Sequence, residues 1–373
     1  MRRLLLIAIA TAFAAPAAAQ QKLDFILNWV PGGDHAPYFY AKKMGWYAKE
    51  GIDLNLEPGK GSMLAVQKVG AGANSIGLAD MANVLIGRGK GAESVGVFNV
   101  YANSPQGLYW LKSSGIKGIK DFPGKKIGNP AADGARPMWP ALAKANGIDP
   151  KSVTWVNVDA NAKLAALKAR SIDITTSFYN IHHIFQRELG ADMGFVAWRD
   201  VGLNPYGNSV IVNAEFLKKN QPLVGKFVKV TQRAFHQCAK EPKPCVQALV
   251  DANGALKFDN ELQNWELVEV LMSDKFSREV ALGWHDPKRY LRAGEDRAAR
   301  GVAVRPRFVV ITIVFFSLSA GKRADYAAPA FVPGALLAAW VITRLTQDVR
   351  IWPVAAAGAA IGAAGAAGAA AAL

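Results

Sequence analysis

The stretch LDFILNWVPGGDHAPYFYAKKMGWYAKEGIDLNLE, opening at Leu23, constrains the fold more than any other part of the chain. An apolar run over 23–27 reads as a strand. An aromatic, Gly-rich loop follows, then a helix over 36–50 that Gly51 ends, then a second strand over 52–57. A strand, a crossover helix and a second strand make the unit from which parallel sheets are built.

The alternation continues. Strands are expected over 75–78, 108–111, 126–129, 154–158, 172–176 and 208–212. Helices are expected over 63–70, 81–87, 134–146, 160–169, 222–239, 244–252 and 260–272, with Ser62 as an N-cap. This pattern predicts an α/β protein of two lobes. Residues 20–104 and 205–290 form lobe I, and 105–204 form lobe II. The two crossings, near 103–107 and 203–207, are rich in turn formers (Asn103, Ser104, Pro105, Asn204, Pro205) suited to a hinge.

The ends differ from this body. Arg2 and Arg3, an apolar run over 4–15 and small residues up to Ala19 have the form of a secretory signal peptide over 1–19, which implies export to the periplasm. Residues 291–373 turn Arg-rich and then apolar, with hydrophobic stretches over 308–320, 326–343 and 351–373. Three readings of this hydrophobic C-terminal tail stand: an inner-membrane anchor, a remnant of a fused permease, or a misjoined reading frame.

The formal net charge is +15, but residues 286–373 hold 11 Lys/Arg against 5 Asp/Glu, so much of the surplus lies in the tail. The remaining basic residues are scattered, without the basic and aromatic stripe of a nucleic-acid surface. Cys238 and Cys245 are the two cysteines, and Pro242 and Pro244 supply a bend between them. In an oxidising compartment they are expected to form a disulfide across a helical corner. No metal site is expected. No GxSxG elbow, P-loop, HExxH or clustered carboxylate pair occurs, so a hydrolase nucleophile, a nucleotide or a catalytic zinc has no seat.

In open α/β sheets, solutes bind at the carboxyl ends of strands and the helix starts beside them. Asn28 and Trp29 end the first strand and offer an amide and a stacking face; His35 follows in the Gly-rich loop. Ser62 opens a helix, and Asp80 ends a strand, where it binds an amino group or caps the next helix. In the second lobe Asn129 and Arg136 flank the turn that holds Asp133, with an Asp133–Arg136 ion pair as the structural alternative. Tyr179 and Asn180 end another strand, and Tyr206 lies beside the return crossing, placed to close over a ligand. His182 and His183 are adjacent on a helix, so they point apart and are assigned to the surface.

Leu27-Asn28-Trp29, Asp34-His35-Ala36-Pro37, Lys43 to Tyr47 and Glu50 to Asp53 resemble the opening of the periplasmic binding proteins for nitrate, sulfonates and thiamin pyrimidine precursors. Asn-Trp followed by His-Ala-Pro is nearest the pyrimidine-precursor branch. The resemblance covers about residues 22–288. It implies a type II periplasmic binding fold and a small solute, most often a thiamin pyrimidine precursor or related heterocycle. It also implies an ABC permease with its ATPase as partners, and no cofactor. The Asp133 turn departs from the Ser/Thr-rich oxyanion turn of the family, which argues against nitrate or a small sulfonate, and a sulfonate- or nitrate-type anion stands as the alternative ligand. The fungal pyrimidine synthase of the same fold is the enzyme alternative. It is associated with a Cys-rich iron motif that this chain lacks, so the expectation is of a binding protein and not an enzyme.

Overall fold

The computed structural model describes residues 20–286 and Arg289. The expected export signal over 1–19 and the tail over 291–373 lie outside the described residues. Ten strands are described, in chain order β1 (Gln21–Ile26), β2 (Ile52–Glu57), β3 (Ile76–Asp80), β4 (Ser94–Asn99), β5 (Gln106–Leu111), β6 (Lys126–Asn129), β7 (Thr154–Asn157), β8 (Ile174–Phe178), β9 (Met193–Ala197) and β10 (Asn208–Asn213). They form two five-stranded sheets, ordered β2-β1-β3-β10-β4 and β7-β6-β8-β5-β9.

The two sheets share one plan. In each, three strands run parallel (β2-β1-β3 and β7-β6-β8), and the strand arriving from the other lobe inserts antiparallel beside them. β5 pairs antiparallel with β8 and β9, and β10 with β3 and β4. The chain therefore crosses between sheets twice, just before β5 and just before β10. These crossings lie side by side: Gly207 N–H donates to Tyr101 O at 2.9 Å, and Ser104 N–H to Asn204 Oδ1 at 2.8 Å. Helices cover the sheets, so the central strands β3 and β10 are buried along their whole length, and the edge strand β4 is buried as well.

Each sheet has its own core. Leu23, Phe25, Tyr38, Phe227, Phe235 and Trp265 pack in the first, and Leu108, Phe122, Ile127, Trp139, Leu142 and Ile174 in the second. Cys238 and Cys245 are joined by a disulfide and are fully buried, fastening helix Gln221–Lys240 to helix Pro242–Ala252.

Several elements differ from the sequence expectation. The helix expected over 36–50 is two, Ala36–Lys43 and Trp46–Lys49, because Gly45 takes a left-handed φ of 66° that ends the first. Strands β4 and β9, absent from the expected set, are short and fully or half buried; a five- or six-residue apolar run interrupted by Gly carries little periodicity. His182 and His183 are not free on the surface. Both are half-buried on helix His182–Leu189, with His182 Nδ1 3.3 Å from the Tyr109 hydroxyl and His183 Nε2 3.1 Å from Asn260 Oδ1.

Candidate ligand-binding cleft

The lobes meet around a cavity of about 290 Å³. Lobe I contributes the loop after β1 with Asn28 and Trp29, the start of helix Ser62–Gly70, and the face of helix Phe258–Met272 that carries Asn260, Glu261 and Asn264. Lobe II contributes Gln106 at the start of β5, Asp133, Lys163, Phe178 and Asn180. The walls thus come from strand ends and helix starts, where solutes bind in open α/β sheets.

Asn28 is held by its neighbours. Gly32 N–H donates to His35 Nδ1 at 3.1 Å, which leaves the ring proton on Nε2, and Nε2 donates to Asn28 Oδ1 at 3.0 Å. Asp34 Oδ1 also stands 3.1 Å from Nδ1, an ion pair only if the ring takes a second proton. His35 is fully buried and off the cavity wall, so it positions Asn28 rather than meeting a solute. With its carbonyl taken, Asn28 offers its amide hydrogens to the cavity.

Ser62 lines the cavity but does not cap its helix. Gly61, at φ 131°, stands at the cap, and Ser62 Oγ accepts from Asp80 N–H at 3.1 Å. Asp80 is fully buried off the wall and caps the following helix, accepting from Ala82 N–H at 3.0 Å. Burial pushes its carboxyl up to about 7, with Asp133 adding to the rise and the Ala82 N–H opposing it.

Asn129 and Arg136 also stand behind the wall. Arg136 does not pair with Asp133. Its Nε donates to Asn129 Oδ1 at 2.6 Å, its NH2 group to Asn129 O and Val156 O, and its guanidinium covers Trp155. Asp133 instead caps helix Ala135–Ala145 through Ala135 N–H at 2.9 Å and faces Lys163 Nζ at 3.8 Å. Lys163, which no sequence motif singles out, is 5% exposed. It donates to Thr176 O at 2.8 Å and stands 5.0 Å from the centre of the Trp29 ring. Burial pulls its ammonium below the usual lysine range, and Asp133 opposes that.

Asn180 lines the cavity and donates across the seam to Asn264 Oδ1 at 3.1 Å. Tyr179 does not line it. Its ring lies under the Arg199 guanidinium, beside His182 and Phe195, and Phe178 supplies the aromatic face. Tyr206 does not close over the cavity either: it is buried, with its hydroxyl accepting from Asp286 N–H at 2.9 Å and its ring against His285. Glu261, like Gln106, Asn260 and Asn264, is a wall residue that sequence reasoning missed. Its Oε2 accepts from Gly33 N–H at 2.7 Å and its Oε1 from Asn260 Nδ2 at 3.0 Å, and burial pushes its carboxyl up. It sits within an amphipathic helix, where its spacing looks like that of any surface acid. Among the described residues no group of three or more His, Cys, Asp or Glu is arranged to hold a metal.

A family model described as NMT1/THI5 like matches residues 33–244. A 4-amino-5-hydroxymethyl-2-methylpyrimidine phosphate synthase from Legionella pneumophila is 26% identical over 247 residues, which cover 65% of this chain and 77% of that protein. A formylaminopyrimidine-binding protein from Halalkalibacterium halodurans is 19% identical over 233 residues, covering 62% of this chain and 71% of its own length. Among solved structures, the alkanesulfonate-binding protein SsuA from Xanthomonas axonopodis pv. citri, bound to MOPS, matches with a TM-score of 0.61 at 13% identity, over 79% of this chain and 99% of that one. That likeness shows the periplasmic binding protein fold. The expectation that the chain is not an enzyme is overturned by the name of the Legionella relative, a synthase: lacking a familiar nucleophile or metal motif does not separate this sequence from enzymes of its own fold. The family model spans more than half of the sequence, and the chain belongs to the NMT1/THI5-like family.

Proposed function

We propose that the chain captures a small nitrogen heterocycle of the thiamin pyrimidine precursor kind, as the extracytoplasmic solute-binding component of an ABC importer. The observation that carries this reading is the interlobe cavity itself, in which the Trp29 and Phe178 rings stand beside the Asn28, Gln106 and Asn180 amides. Ring faces suit a flat solute, and amides suit an edge that both donates and accepts. A volume of about 290 Å³ lies at the low end of the roughly 300–1,000 Å³ usual for small-molecule sites and favours a single ring. The names of the Legionella and Halalkalibacterium relatives both contain a pyrimidine, which supports the same ligand class.

In this reading lobe I (20–104 and 205–290) and lobe II (105–204) swing about the paired crossings, and the closed form is presented to a permease and its ATPase. The address is the periplasm. Membrane attachment through the tail rests on the sequence alone. A sulfonate or nitrate is less well served, because the cavity holds three carboxylates, Asp34, Asp133 and Glu261. The second reading is a pyrimidine synthase-like enzyme, and the relatives' names favour it.

A thermal-shift screen against pyrimidines, sulfonates, nitrate and flavins tests the proposal. A ligand at a hundredfold excess over Kd adds about 2.7 kcal/mol, a rise of several degrees. The rise is expected with aminopyrimidines and is lost in Trp29→Ala. Mass spectrometry of the solute after incubation separates the two readings, since intact recovery supports capture and a new product supports synthesis.

A further inference from the structure

Two buried amides in the cavity have polar atoms without a partner among the described residues: Gln106 Nε2, on a residue 1% exposed, and Asn180 Oδ1, on a residue 4% exposed. One is a donor and the other an acceptor. They lie on neighbouring strand ends, because Gln106 pairs in register with Phe178, two residues before Asn180. The native fold leaves few buried polar atoms unsatisfied, and leaving one unpaired is costly. A donor and an acceptor left open on the same wall of a solute cavity match a solute edge that presents the complement: an amino hydrogen for Asn180 and a ring nitrogen lone pair for Gln106.

The charge around them is one-sided. Asp34, Asp133 and Glu261 line the cavity against one ammonium, Lys163. The helix start that would greet an anion in lobe II is already occupied, because Asp133 Oδ1 takes the Ala135 N–H. Lys163 is committed to Thr176 O and faces Asp133. A phosphate dianion entering here would meet more carboxylate than ammonium, in a site where solvent screens little.

We propose that this cleft selects the unphosphorylated aminopyrimidine over its phosphate ester, with Gln106 and Asn180 reading the donor and acceptor edge and the three carboxylates rejecting the phosphate. The inference rests on the pyrimidine reading above and adds to it the form of the ligand and the residues that choose it.

The test is equilibrium dialysis of the purified chain against 4-amino-5-hydroxymethyl-2-methylpyrimidine and, separately, its monophosphate. The alcohol is expected to bind at least about a hundredfold more tightly, the scale of a few charge-mismatched contacts. Gln106→Leu and Asn180→Ala are each expected to weaken the alcohol by about tenfold or more, the cost of a lost buried hydrogen bond. Glu261→Gln is expected to narrow the preference by raising affinity for the ester. Circular dichroism of each variant separates lost binding from lost fold, and the wild-type comparison of the two ligands needs no variant. Equal or tighter binding of the monophosphate overturns the inference while leaving the pyrimidine reading standing. Binding of neither overturns both.

Discussion

At the scale of single residues, the cavity is set by side chains whose partners lie behind it. His35 turns Asn28, and Asp80 fixes the Ser62 hydroxyl through its own N–H. Asn28, Trp29, Ser62 and Asn180, proposed from the sequence because each ends a strand or opens a helix, all line the cavity. Lys163 and Glu261 were not legible, since a lysine opening a short helix and a glutamate within a long one have no local mark; only tertiary packing buries them. Tyr179 was one position out of phase with the wall, and Phe178 and Asn180 on either side of it line the cavity.

Asp80 gives a prediction at this scale. Its carboxyl titrates at about 7 in the folded protein, against 3.8 for an aspartate in water, so the native state holds the proton more tightly than the unfolded chain. Its contribution to stability is full below about pH 4 and is lost as pH rises through about 7. The ceiling is about 4 kcal/mol, because each pH unit separating the folded from the unfolded titration is worth about 1.4 kcal/mol. Asp80→Asn keeps a capping oxygen and removes the titration. Urea unfolding at about pH 5 and about pH 8, either side of the folded titration, should show wild type losing stability across that interval and the variant losing less; equal losses would remove Asp80 as the cause.

At the scale of elements, the strand and helix alternation was legible because buried parallel strands are short apolar runs with turn formers between them. β2 and β6 were placed at their observed bounds. β4 and β9 were not, as each contains a Gly and too few residues to show a period. The break at Gly45 was hidden because the flanking residues continue a helical pattern; the backbone turns there in a conformation that glycine adopts without a Cβ clash. The helix pair joined by Cys238–Cys245 packs into the lobe I core, and neither cysteine lines the cavity. Cys238→Ala with Cys245→Ala is therefore expected to cost about 2–4 kcal/mol of stability and leave solute affinity within about twofold. Calorimetric melting and dialysis on the same sample check this, and a large loss of affinity at an unchanged melting point would contradict it.

At the scale of the whole molecule, the two lobes touch across the cavity. Asn180 reaches Asn264, and His183 reaches Asn260. Gly61 in lobe I lies so near lobe II that an added Cβ would stand 2.2 Å from Ala132 O. Gly61→Ala should hold the lobes apart and weaken the solute by about tenfold or more, because a contact that only the closed form makes is lost. Small-angle scattering would show a radius of gyration that falls on adding solute to wild type and stays constant in the variant. The chain crosses between the sheets beside Pro105 and Pro205, whereas the seam carries no local mark, since contacts between lobes join residues far apart in sequence.

The central claim is that the closed cleft holds an aminopyrimidine. Isothermal titration of the purified chain with 4-amino-5-hydroxymethyl-2-methylpyrimidine tests it most directly. One solute per chain with micromolar or tighter affinity is the expected result; no heat of binding at millimolar solute, with the protein folded, would contradict it.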